Sequence, residues 1–353
     1  MGNDKPSLEN LACPTPLPAQ DKVLLGHGSG GRLSAELLQK VFLPAFQNPA
    51  LSSLNDQALV TVEDVRLAFT TDSFVVKPLF FPGGDIGSLA VNGTINDLAV
   101  GGAEPMFLSV GFILEEGLPL ATLQRVVESL RCAAQEAGVA VVTGDTKVVE
   151  KGKGDGLFIN TSGIGRVPPG INLSADQARP GDCIILSGSI GEHGITILSQ
   201  REGLEFESPL VSDCAALHTL VARMLEASRA IRCMRDPTRG GLSSALNEIA
   251  AQSRVAMELE ESAIPIQEAV QGACELLGLD PLYVANEGKL VAIVDAGHAE
   301  RILAAMRTHP LGKQARIIGR VTGANPGLVT MRTSLGTTRI VDMLAGDQLP
   351  RIC

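Results

Sequence analysis

Residues 85–114 read DIGSLAVNGTINDLAVGGAEPMFLSVGFIL, two apolar stretches joined through the pair Gly101-Gly102. The first stretch, 85–101, predicts a helix, and the second, 105–114, predicts a strand. A glycine pair between two such elements is typical of a tight connection. We therefore expect a helix packed against a sheet in this part of the chain.

The alternation of helix and strand patterns continues on both sides of this stretch. Pro119 opens a second predicted helix, 119–137, and Gly138 ends it. After the sequence VPPG at 167–170 the alternation repeats, with a long helix predicted at 212–228. Mixed strands and helices in two successive halves predict an α+β protein of two domains, each with a mixed sheet covered by helices.

Domain boundaries follow from this organisation. We expect a disordered extension at 1–21, an N-terminal domain at 22–167, a C-terminal domain at 168–341 and a mobile tail at 342–353. The N-terminus lacks the apolar core of a signal peptide. No apolar run approaches the ~18–20 residues that cross a bilayer. The sequence therefore predicts a cytoplasmic protein that does not bind membranes.

Composition excludes several other classes of function. The net charge is −10, and the chain has no tryptophan and only one tyrosine, so few of its side chains could stack on nucleotide bases. Nucleic-acid binding is therefore not expected. The seven cysteines include no C-x-x-C pair, so the sequence signals neither a zinc site nor an iron–sulfur site.

A glycine-rich loop, GHGSGG at 26–31, follows a short strand pattern and precedes a helix. It satisfies the G-x-G-x-x-G pattern of NAD-binding folds, but no strand ends in an acidic residue about 20 positions later. The favoured alternative is a loop whose backbone N–H groups cover the phosphates of a nucleotide. The candidate nucleotide contacts in this loop are Gly28, Ser29, Gly30 and Gly31.

Three aspartates occur in similar surroundings: Asp72 in TDS, Asp97 in NDL after Asn96, and Asp145 in GDT. Carboxylates at the ends of neighbouring elements can converge on Mg²⁺, which prefers oxygen ligands and bridges polyphosphate. Each aspartate alone is more often a helix cap or a turn residue. Together with the glycine-rich loop, the three predict a site for magnesium and a nucleotide.

Other polar residues are candidates for the same site. Lys147 could neutralise phosphate or transfer a proton, and Glu287, in NEG before a predicted strand, could be a buried base. The sequence DPTRGG presents Asp236, Thr238 and Arg239 just before a predicted helix. The ordinary explanations are a solvated strand end for Lys147, a loop acid for Glu287 and an N-cap for the DPTRGG turn.

The chain ends in Pro350-Arg351-Ile352-Cys353. A terminal cysteine after a flexible segment has no packing role, and a prenylation signal would place the cysteine four residues from the end. Twelve residues from Asp342 could extend roughly 40 Å, enough to cross a domain. A mobile thiol is a candidate substrate for the nucleotide site.

These motifs, in this order, resemble the HypE family of hydrogenase maturation factors. The resemblance rests on GHGSGG, TTDSFVV, GTINDLAVGGAEP, GFILEEGL, VTGDTKVV, MRDPTRGGL, NEGKL and the terminal PRIC, and it covers residues 24–353. The family belongs to the superfamily of aminoimidazole ribonucleotide synthetase and selenophosphate synthetase. The extension before Lys22 departs from the family pattern.

The resemblance implies a two-domain aminoimidazole ribonucleotide synthetase-like fold, with a homodimer formed by the N-terminal domains and ATP held by each. It implies that the carbamoyltransferase HypF loads Cys353 with a carbamoyl group. ATP-dependent dehydration then gives a thiocyanate, and the cyano group passes to iron on the HypC–HypD complex as a ligand of [NiFe]-hydrogenase.

Within this scheme Mg²⁺ is assigned to Asp72, Asp97 and Asp145, and the 26–31 loop closes over the phosphates. Lys147 and Glu287 are both candidates for the base, and the sequence does not decide between them. The terminal carboxylate is expected to disfavour the Cys353 thiolate, so activation by a partner is expected. The alternative functions are a relative that uses ATP on a free small molecule and a non-enzymatic carrier of the cyano or carbamoyl group.

Overall fold

The computed structural model describes residues 22–46, 48–204, 209–346 and 351–353. The predicted disordered extension at 1–21 lies outside the described residues. Within them, the chain forms two large sheets with helices packed on them, as the alternation of patterns predicts, and a separate two-stranded hairpin. The fold class, two α+β domains, is confirmed.

The first sheet lies between residues 58 and 166. Its strands pair in the order β1-β2-β7-β5-β6, and every neighbouring pair except β5 and β6 is antiparallel. The strands of this region, with the hairpin β3–β4, are β1 Ala58–Val62, β2 Val65–Phe74, β3 Phe80–Phe81, β4 Gly84–Asp85, β5 Glu104–Glu115, β6 Ala140–Val149 and β7 Leu157–Arg166. The helices are α1 Arg32–Leu37 and α2 Leu43–Phe46, joined by a π-helical turn at Leu38–Phe42, then α3 Ile86–Val100 and α4 Leu120–Glu136.

Helix α3 is the central element of this half. Asp85 caps it, because its carboxylate accepts hydrogen bonds from the backbone N–H groups of Gly87 (2.7 Å) and Ser88 (3.2 Å). The helix packs on the inner face of the sheet and on α4. The helix predicted at 85–101 and the strand predicted at 105–114 are confirmed as α3 and β5.

The second sheet lies between residues 183 and 340, with the strand order β14-β13-β10-β12-β8-β11-β9. Its strands are β8 Cys183–Leu186, β9 Ile231–Arg235, β10 Ala256–Glu260, β11 Val291–Val294, β12 Arg316–Thr322, β13 Val329–Arg332 and β14 Thr338–Ile340. The helices are α5 Glu192–Glu202, α6 His218–Ala227, α7 Gly241–Ser253, α8 Glu268–Leu277 and α9 Ala299–Arg307. Strands β8 and β11 are buried along their whole length, because α6 and α9 cover one face of the sheet and α7 covers the other.

The helix predicted at 212–228 is wrong at its start, because α6 begins at His218. Backbone N–H groups before α6 form hydrogen bonds to other segments instead of to a helical turn. The N–H of Ser212 donates to Pro82 O (2.9 Å), and that of Ala215 donates to Glu287 O (3.2 Å). Tertiary hydrogen bonds therefore replace a helical turn that local sequence alone would allow. No described helix is both long and apolar enough to span a bilayer.

Asn96 joins the two halves of the molecule. Its side chain is fully buried on α3, and its amide donates to Ala215 O (3.1 Å) and Glu287 O (3.2 Å). Its amide oxygen accepts the N–H of Leu217 (2.8 Å). A single side chain thus satisfies three backbone groups of the second half.

We expect Asn96→Ala to lower the free energy of unfolding by about 2–4 kcal/mol, because it leaves buried backbone groups without partners. Urea denaturation followed by circular dichroism measures this change. Asn92→Ala is the matched control, since half-buried Asn92, one turn earlier, bonds through its amide to Cys214 Sγ (3.4 Å). Equal losses in the two variants would contradict the bridging role of Asn96.

Candidate active site

The last three residues of the chain lie inside the molecule. Cys353 is 7% exposed and Ile352 is 2% exposed. The N–H of Val75 donates to Cys353 O (3.0 Å), and that of Lys77 donates to Arg351 O (3.3 Å). The end of the tail therefore runs antiparallel to residues 75–77, just beyond strand β2.

Side chains from three other segments hold the same residues. Buried His193 on α5 contacts Ile352 O through Nε2 (2.9 Å) and Ser212 Oγ through Nδ1 (2.8 Å). Arg201 donates to Arg351 O (2.8 Å). The Arg351 guanidinium donates to Val75 O (3.1 Å) and pairs with the carboxylate of Asp155.

The docked thiol of Cys353 is surrounded by charged groups. Burial raises its pKa to about 12, with Glu287 and Asp72 adding to the rise and Arg239 opposing it. The thiol is therefore neutral at pH 7 in this position and is a poor nucleophile. The sequence predicts a disfavoured thiolate from the terminal carboxylate, whereas burial is the main cause in the structure.

Glu287 is the most deeply buried acid of this set, 2% exposed, and its Oε1 has no hydrogen-bond partner among the described residues. Burial and the charges of Asp236, Asp72 and Asp213 raise its pKa well above the usual range, and Arg239 opposes the shift. A carboxylate with a raised pKa is a stronger base than an ordinary glutamate, and the charge of Glu287 acts on the Cys353 thiol, so Glu287 is a candidate to accept a proton from a group docked there.

Four aspartates form an acid cluster, and two of them, Asp72 and Asp236, act on Glu287. Burial raises the pKa of Asp56, Asp72, Asp97 and Asp236, and those of Asp97 and Asp236 rise well above the usual range because neighbouring carboxylates add to it. Asp97 also accepts a hydrogen bond from Thr70 Oγ1 (2.7 Å). The cluster repels itself, so a cation or proton would stabilise it.

Two arginines balance part of this negative charge. Arg235 is buried and pairs with Asp56 (2.6 Å) and Glu248 (2.9 Å). The charge of Cys353 when it is ionised, and the charges of Asp72 and Glu287, raise the pKa of Arg239, which stays cationic. Arg239 therefore interacts with both the acid cluster and the terminal cysteine.

The glycine-rich loop folds over Arg239 and the start of the tail. Arg239 donates to Gly28 O (3.1 Å), and Ser29 Oγ donates to Gly346 O (3.2 Å). A Cβ at Gly30, whose φ is +72°, would lie 2.5 Å from Arg239 O, and one at Gly31 would lie 2.3 Å from Leu344 O. Both positions require glycine because another backbone passes too close for a side chain.

Asp236 and Thr238 form the turn before α7, and the N–H of Thr238 donates to Asp236 O (3.0 Å). This turn places the Asp236 carboxyl group in the acid cluster and Arg239 beside the tail. The amide of Asn96 is fully engaged by backbone groups, as described above, so its observed contacts are structural.

Asp145 and Lys147 lie apart from the other predicted site residues. They pair with each other on β6 (2.6 Å), and both side chains are more than two-thirds exposed. Their register partners are Gly111 and Ile113, on the outer face of the sheet, whereas Asp72 is paired with buried Thr161 on the inner face. Strands β7 and β5 separate β2 from β6, a spacing of about 14 Å.

Three residues of this site were not predicted from the sequence. Asp56 follows Asn55 just before β1, and His193 and Arg201 are on α5. A polar Asn-Asp pair before a strand is the one local signal for Asp56. His193 and Arg201 have no local signal, because their role comes from contact with tail residues that are 159 and 150 positions away. Among the described residues, no three His, Cys, Asp or Glu side chains are close enough together to hold a metal ion.

Comparison with known proteins places this site in a family. The chain matches the N-terminal domain of AIR synthase related proteins over residues 54–167 and the C-terminal domain over 179–331. It is 62% identical to carbamoyl dehydratase HypE of Azotobacter vinelandii, over 93% of this chain and 96% of the relative.

Solved structures give the same result. HypE in complex with ATP is 52% identical, with a TM-score of 0.80 over 94% of this chain and 100% of its own. HypE in a HypE–HypF complex is 48% identical, with a TM-score of 0.83 over 87% of this chain and 99% of its own. The chain belongs to the HypE family of carbamoyl dehydratases, within the AIR synthase related proteins.

Proposed function

We propose that this protein catalyses the ATP-dependent dehydration of an S-carbamoyl group on its own Cys353, giving a thiocyanate. The observation that carries the proposal is the burial of Cys353 beside Glu287, Arg239 and Asp72. A chain that brings its own last residue into a dry, charged pocket supplies its own substrate. The ATP complex of the 52% identical relative supports ATP as the second substrate.

The reaction removes an amide oxygen, which is a poor leaving group. The thiocarbamate oxygen attacks the γ-phosphorus of ATP, ADP leaves, and the nitrogen loses one N–H proton. The second N–H proton then leaves as the C–O bond breaks, and the products are the C≡N group and phosphate. Two proton transfers and one charge-stabilised phosphoryl transfer are therefore required.

Glu287 is the better candidate for the base. Its Oε1 has no hydrogen-bond partner among the described residues, its pKa is raised, and its charge acts on the Cys353 thiol that carries the reacting group. Arg239 faces the same group and would stabilise negative charge on the oxygen that is phosphorylated. Lys147, on the outer face, would hold phosphate or the carbonyl oxygen only if a second chain brought it to the site.

The acid cluster is our candidate for a magnesium site. No three of Asp72, Asp97, Asp56 and Asp236 lie close enough together to bind one ion, so Mg²⁺ would be held by one or two of them together with the phosphates of the nucleotide. The repulsion that raises their pKa values is what a cation would relieve. Mg²⁺ when bound would neutralise the phosphate charge of the nucleotide. Gly28 to Gly31 would cover that nucleotide through backbone N–H groups, with Thr238 and Arg239 opposite.

We propose that Asp145 and Lys147 belong to the site of a second copy of the chain. They share the outer face of the sheet with exposed apolar side chains: Phe69, Phe107, Ile113 and Ile164. An apolar sheet face is normally covered. A homodimer that pairs two such faces would cover it and carry Lys147 toward the partner's pocket.

The tail also needs protein partners. A neutral thiol buried in the pocket is not available for loading, so loading by HypF requires an exposed tail. The HypE–HypF complex of the 48% identical relative supports HypF as this partner. We propose that the HypC–HypD complex then takes the cyano group for the iron of [NiFe]-hydrogenase, in the cytoplasm.

Intact-mass measurement tests the reaction. With HypF, carbamoyl phosphate and ATP, we expect Cys353 to gain about 43 Da and then lose about 18 Da, from the atoms transferred. Cys353→Ala abolishes both changes, whereas Cys132→Ala, at another free thiol, leaves them intact. A gain of about 43 Da without the ATP-dependent loss would identify a non-enzymatic carrier of the carbamoyl group. Full ATP-dependent turnover of a free small molecule by Cys353→Ala would identify a relative that acts on free small molecules.

Glu287→Gln should slow the dehydration step by about 10²–10⁴-fold, because the base is lost. Gln resembles the protonated acid, so loading with carbamoyl should persist. Because burial raises the pKa of Glu287, ionisation of this residue destabilises the folded state as the pH rises through that pKa. Glu287→Gln should therefore be more stable than the wild type at alkaline pH. Single-turnover mass kinetics and urea titrations at several pH values measure both effects. A wild-type rate in Glu287→Gln would exclude this base.

Mixing two inactive variants tests the second copy. In a heterodimer of Lys147→Ala and Glu287→Gln, one pocket has both native residues only if Lys147 comes from the partner. We expect co-refolded mixtures to recover up to about a quarter of the wild-type activity per chain, by random pairing. Mixing either variant with itself is the control. No recovery in chains that form dimers by light scattering would show that Lys147 does not act in trans.

A further inference from the structure

The end of the tail lies in its pocket as a bound peptide would. We define the docking groove as residues 75–77, Asp155, Phe158 and His193. Two N–H groups of the 75–77 segment donate to carbonyl oxygens of residues 351 and 353, which is the pattern of β-strand addition. Main-chain recognition of this kind does not depend on how the peptide is attached.

Each of the three terminal residues has its own contacts in the groove. The Arg351 guanidinium pairs with Asp155 and lies 5.9 Å from the centre of the Phe158 ring. The Ile352 side chain is almost fully buried in the apolar cluster of the first half. At the third position, the N–H of Val75 binds an oxygen of the terminal residue itself. The groove therefore recognises a basic and an aliphatic side chain, and it encloses the last residue, which is 7% exposed.

His193 fixes the orientation of this peptide. Because Ile352 O is an acceptor, Nε2 carries the proton, and Nδ1 accepts the hydroxyl proton of Ser212. Ser212 Oγ in turn accepts the N–H of Cys214 (3.1 Å). Burial lowers the pKa of His193 and keeps the ring neutral in this role. Hydrogen bonds on both sides of the Cys353 Cα set the direction of the thiol.

We propose that the docking groove is a peptide-binding site that recognises a carboxy-terminal Arg-Ile-Cys in trans. Resting on the proposed function, we infer further that a free peptide with this ending and an S-carbamoyl group is dehydrated there. The stoichiometry is the same as for the reaction on Cys353: the peptide thiocarbamate and ATP give the peptide thiocyanate, ADP and phosphate. The ligand class is a short peptide with a free carboxylate.

The expected affinity follows from the double role of the tail. A tail that must both dock and leave needs an equilibrium constant near one between its docked and undocked positions. This constant is the effective concentration of the tail divided by the dissociation constant of the free peptide, so the two quantities are about equal. Short flexible linkers give effective concentrations on the order of 1 mM. We therefore expect weak binding of the free peptide, with a dissociation constant of about 1 mM.

The test uses the full chain with its own tail displaced. Ile352→Asp/Cys353→Ala places a charge in an apolar pocket, and Arg351→Glu/Cys353→Ala, which repels Asp155, is a second variant should the first fail to fold. The probe is a fluorescein-labelled peptide ending in Leu-Pro-Arg-Ile-(S-carbamoyl)Cys, and anisotropy measures its binding. Unlabelled peptide with ATP is followed by mass, and a loss of about 18 Da is expected, from the atoms removed.

Matched controls test each contact. A peptide with glutamate in place of arginine, and one extended by a glycine after the cysteine, should bind at least about tenfold more weakly, since charge pairing or the chain end is lost. Adding His193→Leu to the displaced-tail variant should weaken binding about tenfold, and His193→Gln, which keeps a donor near Nε2, should restore most of it. Wild-type protein should bind less than the displaced-tail variants, because its own tail competes.

Two results would overturn the inference: no binding up to about 10 mM, ten times the expected constant, by a folded displaced-tail variant, or equal binding of the peptide with glutamate. Binding with the expected sequence dependence but without the mass loss would limit the groove to recognition and would refute dehydration in trans. If the loaded wild-type chain itself shows no ATP-dependent loss, the proposed function fails, whatever the peptide does. If the wild-type chain reacts and the peptide does not bind, this inference alone fails.

Discussion

The rest of the structure depends on one constraint: the reacting sulfur is part of the chain and must enter a pocket from which water is excluded. Burial raises the pKa of the Cys353 thiol to about 12, far above its usual range. A neutral thiol does not attack a carbamoyl donor, so loading belongs to an exposed position of the tail. Dehydration, in contrast, needs the dry pocket, where the charges of Glu287 and Arg239 act at full strength. The same tail must therefore be exposed for loading and buried for dehydration.

The charges around the pocket follow from the same exclusion of water. Burial and the neighbouring carboxylates raise the pKa of Glu287 well above its usual range, which makes its carboxylate a stronger base. Arg239 joins the parts, because it faces Cys353, Asp72 and Glu287 and also binds the glycine-rich loop at Gly28. A nucleotide that replaced the hydrogen bond between Arg239 and Gly28 would therefore also change the electrostatic environment of Cys353.

Local sequence predicted the fold class and the central elements, since α3 and β5 are specified by composition and by the glycines between them. The structure brings together five of the residues that the sequence singles out as candidates: Asp72 on β2, Asp97 on α3, and Asp236, Arg239 and Glu287 in loops. Local sequence did not predict the start of α6, because tertiary hydrogen bonds to Ser212 and Ala215 override helix propensity there. Nor could it identify His193, whose only signal is its contact with Ile352. The resemblance to a family placed Lys147 in the site, whereas one chain leaves it on the outer face.

The docking contacts explain how one groove can serve successive chemical states. Val75, Lys77 and His193 bind the main chain, and Asp155 binds Arg351, so none of the described hydrogen bonds to the tail uses the Cys353 sulfur. A thiol, a thiocarbamate and a thiocyanate can therefore occupy the same position without exchange of these contacts. The states differ in the group that the sulfur presents to Glu287, Arg239 and Asp72, whose charges act on this position. Recognition is thus separated from reactivity, and this lets the tail dock before the reaction and leave after it.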